Sequence, residues 1–327
     1  MTSAPAILRR TYELHGIGLE VRAEEPAVID AMDLRLRDFR GGPSRPSELI
    51  SLDFRTNDPE ARDRPTTSGR RVYDTPYGSL YYHPDEDALC GELGGVELRC
   101  EAARGVALFR SAEFVGRDLY LATHPLATIS LMELLERRGR FSLHAACLAA
   151  GDRGGVLLSG PSGSGKSTLA LALARAGMTF LSDDIVFLVH DGDSSAVRVL
   201  GFADTVGVSD HAANQFVELP GRLGPVADGF PKPLGRIEHL FGMPALSSCT
   251  PCALVFPEVA RDQPSDIAPL DPQEALLRLV PDVLLTEPAA TQAHLGAIAA
   301  LLQQVRCYVL RSGSNLERAV ALVRALV

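Results

Sequence analysis

The sequence predicts an α/β fold in two parts, a smaller, mostly β domain over residues 1–125 and an α/β domain over residues 126–327. Two patterns predict it. Short alternating apolar runs between polar turns fill the first part. Continuous apolar strands and Ala/Leu-rich helices fill the second, and a glycine-rich loop joins one such strand to a helix.

Composition limits the class of protein. The chain has 327 residues, of which 46% are apolar and 22% charged, so it can bury a core. These values exclude a disordered chain, a collagen-like repeat and a disulfide-stapled miniprotein. It carries 32 basic and 41 acidic residues, a net charge of −9, and no run of Lys or Arg. We therefore expect no nucleic-acid partner.

We expect neither a signal peptide nor a membrane-spanning segment in this sequence. Its first residues lack the apolar region of a signal peptide, and the apolar stretch 295–305 is too short to cross a bilayer. Six dispersed cysteines are typical of reduced thiols. We expect a cytoplasmic protein without a membrane partner.

The elements follow in order along the chain. In the first part we predict strands at 18–22, 49–54, 78–82, 96–100, 106–109 and 118–122, with one helix at 26–39. An amphipathic helix at 125–138 marks the domain boundary. In the second part we predict strands at 144–149, 156–159, 179–182, 185–190, 253–256 and 306–310. The helices there are 166–176, 272–279, 290–303 and 315–326, and the Gly/Pro-rich segment 219–235 is predicted to be an exposed loop.

The glycine-rich loop carries the strongest motif. Residues 160–167, GPSGSGKS, match the phosphate-binding pattern G-x-x-x-x-G-K-[ST] at every fixed position. Glycines let backbone N–H groups approach phosphate oxygens, and the following helix adds its positive dipole end. The predicted nucleotide-binding residues are Gly160, Pro161, Ser162, Gly163, Ser164, Gly165, Lys166, Ser167 and Thr168. Among them Lys166 would reach the β- and γ-phosphates, and the Ser167 hydroxyl would bind Mg²⁺.

A pair of carboxylates follows soon after this motif. Asp183 and Asp184 come 17 residues after Lys166, which is enough for one helix and one returning strand. A crossover of that kind returns the pair to the edge of the sheet where the loop lies. One aspartate could then accept a proton from an attacking hydroxyl while the other orients Mg²⁺ or its waters.

These residues together resemble a known family. The run from His144 through the loop to Asp183-Asp184 is similar to the catalytic domain of bacterial HPr kinase/phosphorylase, over roughly residues 141–190. The resemblance implies a P-loop kinase domain that uses ATP and Mg²⁺. It implies that Asp183 is the general base on a seryl hydroxyl and that His144 lies near the reacting phosphate. From the residues alone, a histidine at the start of a strand is more typical of a structural role.

The chain also departs from that family. A Glu-x-Arg-Gly-Leu-Gly segment is missing, and residues 197–207 stand in its place without the glutamate. Ser167 and Asp184 remain as predicted metal ligands. The whole chain resembles HPr-kinase-like enzymes of peptide tailoring, including those that phosphorylate a serine of a lasso peptide. This implies a peptide or small-protein substrate bearing an acceptor serine, with residues 1–125 as a wall of its groove; a homo-oligomer is left open.

Lysine is rare in this sequence, so each lysine is a candidate for a specific role. The chain has only two, Lys166 and Lys232. Lys232 lies between prolines in the Gly/Pro-rich segment, and we predict that its ammonium offsets charge on the transferred phosphate. Arg236 is the alternative cation for this role. That Lys232 is a solvated loop residue without a catalytic role is an equally weighted interpretation.

Two other clusters of potential metal ligands are present in the sequence. The Cys249-Thr-Pro-Cys252 segment is predicted to be a turn, because zinc would need two further ligands. Residues 85–87 are predicted to be a solvated acidic turn.

Three alternatives to a peptide kinase stay open: a kinase for a small metabolite such as a free amino acid, an HPr-type kinase/phosphorylase, and an ATP-binding regulator without catalysis.

Overall fold

The chain forms two compact units in a computed structural model. The structure describes residues 6–40, 48–56, 69–190, 196–202, 206–208, 210–216, 219–223, 226, 229, 233–260, 262–283 and 286–327. Unit 1 comprises Met1–Arg138, Val226–Pro231 and Leu284–Thr291. Unit 2 comprises Gly139–Pro225, Lys232–Val283 and Gln292–Val327.

Unit 1 is built on a mixed eight-stranded sheet. Its strands are β1 Leu8–Leu14, β2 Ile17–Ala23, β3 Leu49–Thr56, β4 Arg70–Thr75, β5 Gly78–His83, β6 Ala88–Leu93, β7 Val96–Glu101 and β8 Val106–Ser111. Their spatial order is β1-β2-β3-β8-β7-β6-β5-β4, and only the β2–β3 and β3–β8 pairs are parallel. Its helices are α1 Pro26–Arg35, α2 Gly116–Leu121 and α3 Ala127–Glu136.

Aromatic packing fixes the centre of this sheet. Phe54 on β3 and Phe109 on β8 are register partners, and their rings stack with centroids 4.3 Å apart. Both side chains are fully buried, and Phe114 packs edge-on against Phe54. Alternation of apolar and polar residues places these rings on the covered face of the sheet.

One predicted strand is wrong. Residues 118–122 form the end of α2 and the start of a π turn, Ala122–Leu126, that leads into α3. A short apolar run does not distinguish a strand from a buried helical turn by periodicity. The Thr123 hydroxyl donates to the carbonyl of Leu119 at 2.7 Å, which supports the helical path up to Pro125.

Unit 2 is built on a mixed nine-stranded sheet. Its strands are β9 Phe141–Ala149, β10 Gly155–Ser159, β11 Thr179–Ser182, β12 Ile185–His190, β13 Val197–Gly201, β16 Ser248–Cys249, β17 Pro251–Val259, β18 Asp266–Pro269 and β19 Arg306–Ser312. A separate pair consists of β14 Val206–Gly207 and β15 Leu234–Gly235. The helices are α4 Lys166–Arg175, α5 Asp210–Gln215, α6 Ile237–Phe241, α7 Pro272–Leu279, α8 Pro288–Gln304 and α9 Leu316–Arg324. None of the helices in the described ranges has both the length and the apolarity needed to cross a membrane.

The strand order of the larger sheet is β16-β13-β12-β9-β10-β17-β19-β18, with β11 also paired to β9. Its two faces are both covered. Leu148 and Leu158 lie in a buried cluster with α4 and α9, whereas Cys147 and Leu157 lie in a second buried cluster with α7 and α8. Strands covered on both faces read as continuous apolar runs, which explains the sequence pattern around residues 144–149 and 156–159.

The described part of segment 219–235 differs from the predicted exposed loop at its two ends, whereas Gly221, Arg222, Val226 and Gly229 are exposed. Leu219 is fully buried, and Leu234–Gly235 is a strand paired with Val206–Gly207. Leu219 packs into the same buried cluster as α4, so apolar burial outweighs the Gly/Pro composition at that position.

The compact units divide at a different place from the predicted domains, 1–125 and 126–327. Unit 1 extends to Arg138 and includes α3. Glu133 on α3 is 1% exposed, and its carboxylate accepts from the Thr286 hydroxyl at 2.7 Å and from Arg137 at 3.0 Å. Arg137 also donates to Asp87 at 2.9 and 3.2 Å. This buried network ties α3 and the segment around Thr286 to the first sheet.

Replacing Arg137 with methionine should leave the Glu133 carboxylate buried without its charged partner. Burial already raises the pKa of Glu133. We expect Arg137→Met to lower the free energy of unfolding by about 3–5 kcal/mol, measured by denaturant titration. Arg104→Met is the matched control, since Arg104 pairs with Glu101 at the surface and should cost about 0–1 kcal/mol. Equal effects for the two variants would contradict a structural role for the network.

Candidate functional site

The phosphate loop leaves the end of one strand and enters the start of one helix. Strand β10 ends at Ser159, and α4 begins at Lys166. Gly163 has φ +84° and Gly165 has φ +96°, a region that side chains with a Cβ rarely adopt. Gly165 is the N-cap residue of α4, so the loop ends on the first turn of a helix whose N–H groups lack intrahelical partners. The predicted strand–loop–helix context is therefore present.

Two side chains of the loop face inward. Lys166 is 7% exposed, and its ammonium donates to the carbonyl oxygens of Gly160 and, at 3.2 Å, Pro161. The Ser164 hydroxyl is buried and makes no hydrogen bond to any described residue. A buried hydroxyl without a partner costs free energy, and an oxygen-rich ligand in the loop would satisfy it. These residues fit a bound phosphate group.

Strand β9 brings the aspartate pair to the loop. It pairs antiparallel with β10 on one side, where Ala145 is the register partner of Ser159. On its other side it pairs antiparallel with β11 and then with β12, where His144 is the partner of Ile185. Asp183 and Asp184 fill the break between β11 and β12. Both aspartates therefore lie at the level of β9 where the loop begins.

The route differs from a crossover between neighbouring strands. Strands β10 and β11 run in the same direction with β9 between them, so the connection through α4 passes over one strand. By this route Asp183 and Asp184 return to the end of β10 at which the loop begins.

Two serine hydroxyls that the sequence reasoning missed support this edge. The Ser182 hydroxyl lies 2.5 Å from the carbonyl of Ile185 and 2.9 Å from that of Phe202, which closes the turn containing both aspartates. The Ser159 hydroxyl donates to the carbonyl of His144 at 3.1 Å. Both side chains are buried. The sequence signal that could have identified these two serines is a polar residue at the end of an otherwise apolar strand.

His144 and Asp184 form a pair at the surface. The Nε2 atom of His144 lies 3.0 Å from a carboxylate oxygen of Asp184. The His144 side chain is 31% exposed and that of Asp184 is 76% exposed, so solvent and a ligand can reach them. Asp183 is less exposed than Asp184. The contact gives His144 a polar partner at this edge.

The end of strand β17 lies next to the loop. Strand β17 is the parallel neighbour of β10 and ends at Pro257, Glu258 and Val259. A Cβ on Gly165 would lie 3.7 Å from Val259, so this strand end borders the loop. Glu258 accepts from Arg278 at 2.9 Å. The sequence analysis predicted a strand at 253–256 but did not consider the carboxylate that follows it.

The predicted residues are therefore distributed as follows. His144, Gly160, Lys166, Asp183 and Asp184 lie at one edge of the second sheet. Ser167 and Thr168 follow Lys166 in the first turn of α4. Lys232 lies outside the described residues, and its role stays a prediction. The neighbouring alternative, Arg236, is 7% exposed and pairs with Glu238 at 3.2 Å.

Oxygen ligands of the kind that Mg²⁺ prefers are present at this edge, in the Ser167 hydroxyl and the Asp184 carboxylate. Within the described ranges, no group of three or more His, Cys, Asp or Glu side chains is arranged to hold a metal ion. Magnesium commonly binds through one or two protein oxygens, with water and substrate phosphates completing its shell. The donor set fits that kind of binding.

Comparison with known proteins gives little beyond this geometry. No family model and no curated protein matches the chain. Among solved structures, it is similar to the Hpr(Ser) kinase/phosphatase from Coxiella burnetii, with 18% sequence identity and a TM-score of 0.27. The match covers 37% of this chain and 59% of that chain, less than two thirds of its length. At this TM-score the likeness supports no conclusion about the chemistry of the site.

Proposed function

We propose that this chain is an ATP-dependent kinase that transfers the γ-phosphate of ATP to a serine hydroxyl of a peptide or small protein. The observation that carries the proposal is the meeting of the phosphate loop with Asp183, Asp184 and His144 at one sheet edge. A nucleotide-dependent regulator needs the loop but no carboxylate near it. The aspartate pair therefore favours phosphoryl transfer over regulation.

The loop supplies the binding half of the reaction. Its glycines leave the backbone N–H groups open to phosphate oxygens, and the first turn of α4 adds a partial positive charge. The Lys166 ammonium, which donates to Gly160 and Pro161, is close enough to exchange those carbonyls for phosphate oxygens. Ser167 and Asp184 would hold Mg²⁺, which when bound offsets the negative charge of the β- and γ-phosphates.

The aspartate pair supplies the proton acceptor. A serine hydroxyl becomes a better nucleophile as its proton is taken up by a positioned carboxylate. We assign this role to Asp183 and leave Asp184 to orient the metal or its waters. The contact with His144 at 3.0 Å orients the Asp184 carboxylate. In this division Asp183 accepts the proton and Asp184 orients the metal or its waters.

The acceptor is tested with defined probes. The purified chain is incubated with Mg²⁺ and γ-labelled ATP, together with either a serine-containing peptide library or free L-serine. We expect label in the peptides and none in free L-serine. Label in L-serine alone would replace the peptide acceptor by a small metabolite. Absence of transfer to any hydroxyl, with ATP still bound, would favour the regulator.

Removing the loop lysine tests nucleotide binding. We expect Lys166→Ala to weaken ATP binding about tenfold or more, because a charge-assisted hydrogen bond is worth about 1.5–3 kcal/mol. Isothermal titration calorimetry measures this, and circular dichroism checks that the fold is intact. Arg153→Ala is the matched control, since Arg153 is a cation near the other end of β10. Unchanged ATP affinity in Lys166→Ala would refute the loop as the phosphate site.

Removing the proton acceptor tests the chemistry. Asparagine keeps the size of Asp183 but accepts no proton at neutral pH. In Asp183→Asn we expect ATP affinity within a few-fold of wild type and kcat lowered by roughly 10²–10⁴. Asp152→Asn serves as the control, because Asp152 is exposed at the far end of β9. Retained kcat in Asp183→Asn would shift the assignment to Asp184.

Removing the Ser182 hydroxyl tests positioning of the pair. Ser182→Ala opens the turn that holds both aspartates but touches no phosphate-binding group. We expect kcat to fall about ten- to hundred-fold while the Kd for ATP stays the same, because small displacements of reacting groups are costly. Ser182→Thr keeps the hydroxyl and should restore most of kcat. A parallel loss of ATP affinity would indicate general disruption of the sheet edge.

A further inference from the structure

Three cysteines meet at the opposite end of β10 from the phosphate loop. Cys147 on β9 and Cys249 on β16 have their sulfur atoms 3.7 Å apart. Cys252 on β17 donates to the carbonyl of Gly155 at 3.4 Å. A Cβ on Gly155 would lie 2.3 Å from the Cys249 sulfur and 3.6 Å from that of Cys147. The missing side chain at Gly155 therefore makes the space in which the sulfurs approach.

The two closest sulfurs differ in access. Cys147 is fully buried among the residues under α7 and α8. Cys249 is only partly buried, on the short strand β16 that pairs with β13. Cys249 is therefore the more accessible of the two residues. The pair thus has an outer and an inner thiol.

The two thiols also differ in charge environment. The hydrogen bond shared with Cys147 lowers the pKa of Cys249; burial opposes this, and the positive charge of Arg198 adds to the lowering. The same hydrogen bond, together with burial, raises the pKa of Cys147. By contrast, burial raises the pKa of Cys307 to about 11. Thiolate is the reactive form of cysteine, so Cys249 is the preferred nucleophile among Cys147, Cys249 and Cys307.

We propose that Cys147 and Cys249 are a peroxide-reactive thiol pair that forms a reversible disulfide. In the first step the Cys249 thiolate attacks one oxygen of hydrogen peroxide and the O–O bond breaks; the leaving hydroxide takes up the proton that the Cys249 thiol had released, so the products are Cys249 sulfenic acid and water. In the second step the Cys147 sulfur attacks the Cys249 sulfur, the S–O bond breaks, and the departing hydroxyl takes the Cys147 thiol proton and leaves as a second water. Two thiols are oxidised and one peroxide is reduced. A thiol reductant reverses the reaction by exchange.

The geometry of the three cysteines does not favour a metal site. Among the described residues, which include these three cysteines, no group of three or more His, Cys, Asp or Glu side chains is arranged to hold a metal ion. The close pair of sulfurs and their unequal environments instead match an attacking thiol beside a resolving thiol.

Peptide mapping of the full-length protein tests the pair directly. The reduced chain is treated with hydrogen peroxide, its remaining thiols are alkylated, and it is digested with trypsin. Cleavage at arginine places Cys147 alone in residues 141–153, and Cys249 with Cys252 in residues 237–261. We expect a cross-link between these two peptides that dithiothreitol removes, with fragmentation assigning it to Cys249. An internal disulfide in residues 237–261, or no disulfide, would overturn the proposal.

Variants separate the two steps. In Cys147→Ser and Cys147→Ala, Cys249 should stop at the sulfenic acid, which dimedone traps. In Cys249→Ser the cross-link should be lost, and in Cys307→Ser, the matched control, it should form as in wild type. Cys249 should also react with iodoacetamide at pH 7 about tenfold faster than Cys307. Equal alkylation rates, or a cross-link that persists in Cys249→Ser, would contradict the assignment. None of these readouts depends on ATP or on the proposed kinase reaction.

Discussion

The antiparallel pairing of β9 with its neighbours is the constraint on which the rest of unit 2 depends. β10 lies on one side of β9, and β11 and β12 lie along the other. The register places Ser159 opposite Ala145 and Ile185 opposite His144. Because hydrogen-bonded strands cannot slip without moving every side chain to the other face, this register fixes the loop and the aspartate pair at one level.

Two glycines set different chemistry at the two ends of β10. Beyond its last residue, Gly160 opens a loop in which Lys166 and Ser164 face inward. At its first residue, Gly155 leaves room for the sulfurs of Cys147 and Cys249. Between these ends the strand is apolar and covered on both faces. Strand β10 thus borders a polar loop at one end and a thiol pair at the other.

A buried charge network joins distant segments of unit 1. Glu133 and Arg137 on α3 bond to each other and to Thr286 and Asp87, residues far apart in sequence. Removing one member would leave a buried charge, so the network specifies which segments pack together more than it adds stability. This accounts for the inclusion of Leu284–Thr291 in unit 1.

The sequence by itself determined the elements with strong local signals. The motif at 160–167 predicted the strand, loop and helix around Lys166, because glycine conformations and helix propensity act over a few residues. It also predicted that Asp183 and Asp184 return to the loop, because chain length limits where a strand can end. Only the tertiary structure decided that β9 lies between the two strands, that the end of β17 borders the loop, and that Cys147 meets Cys249. These contacts join residues up to about a hundred positions apart, and such pairings leave no local pattern to read.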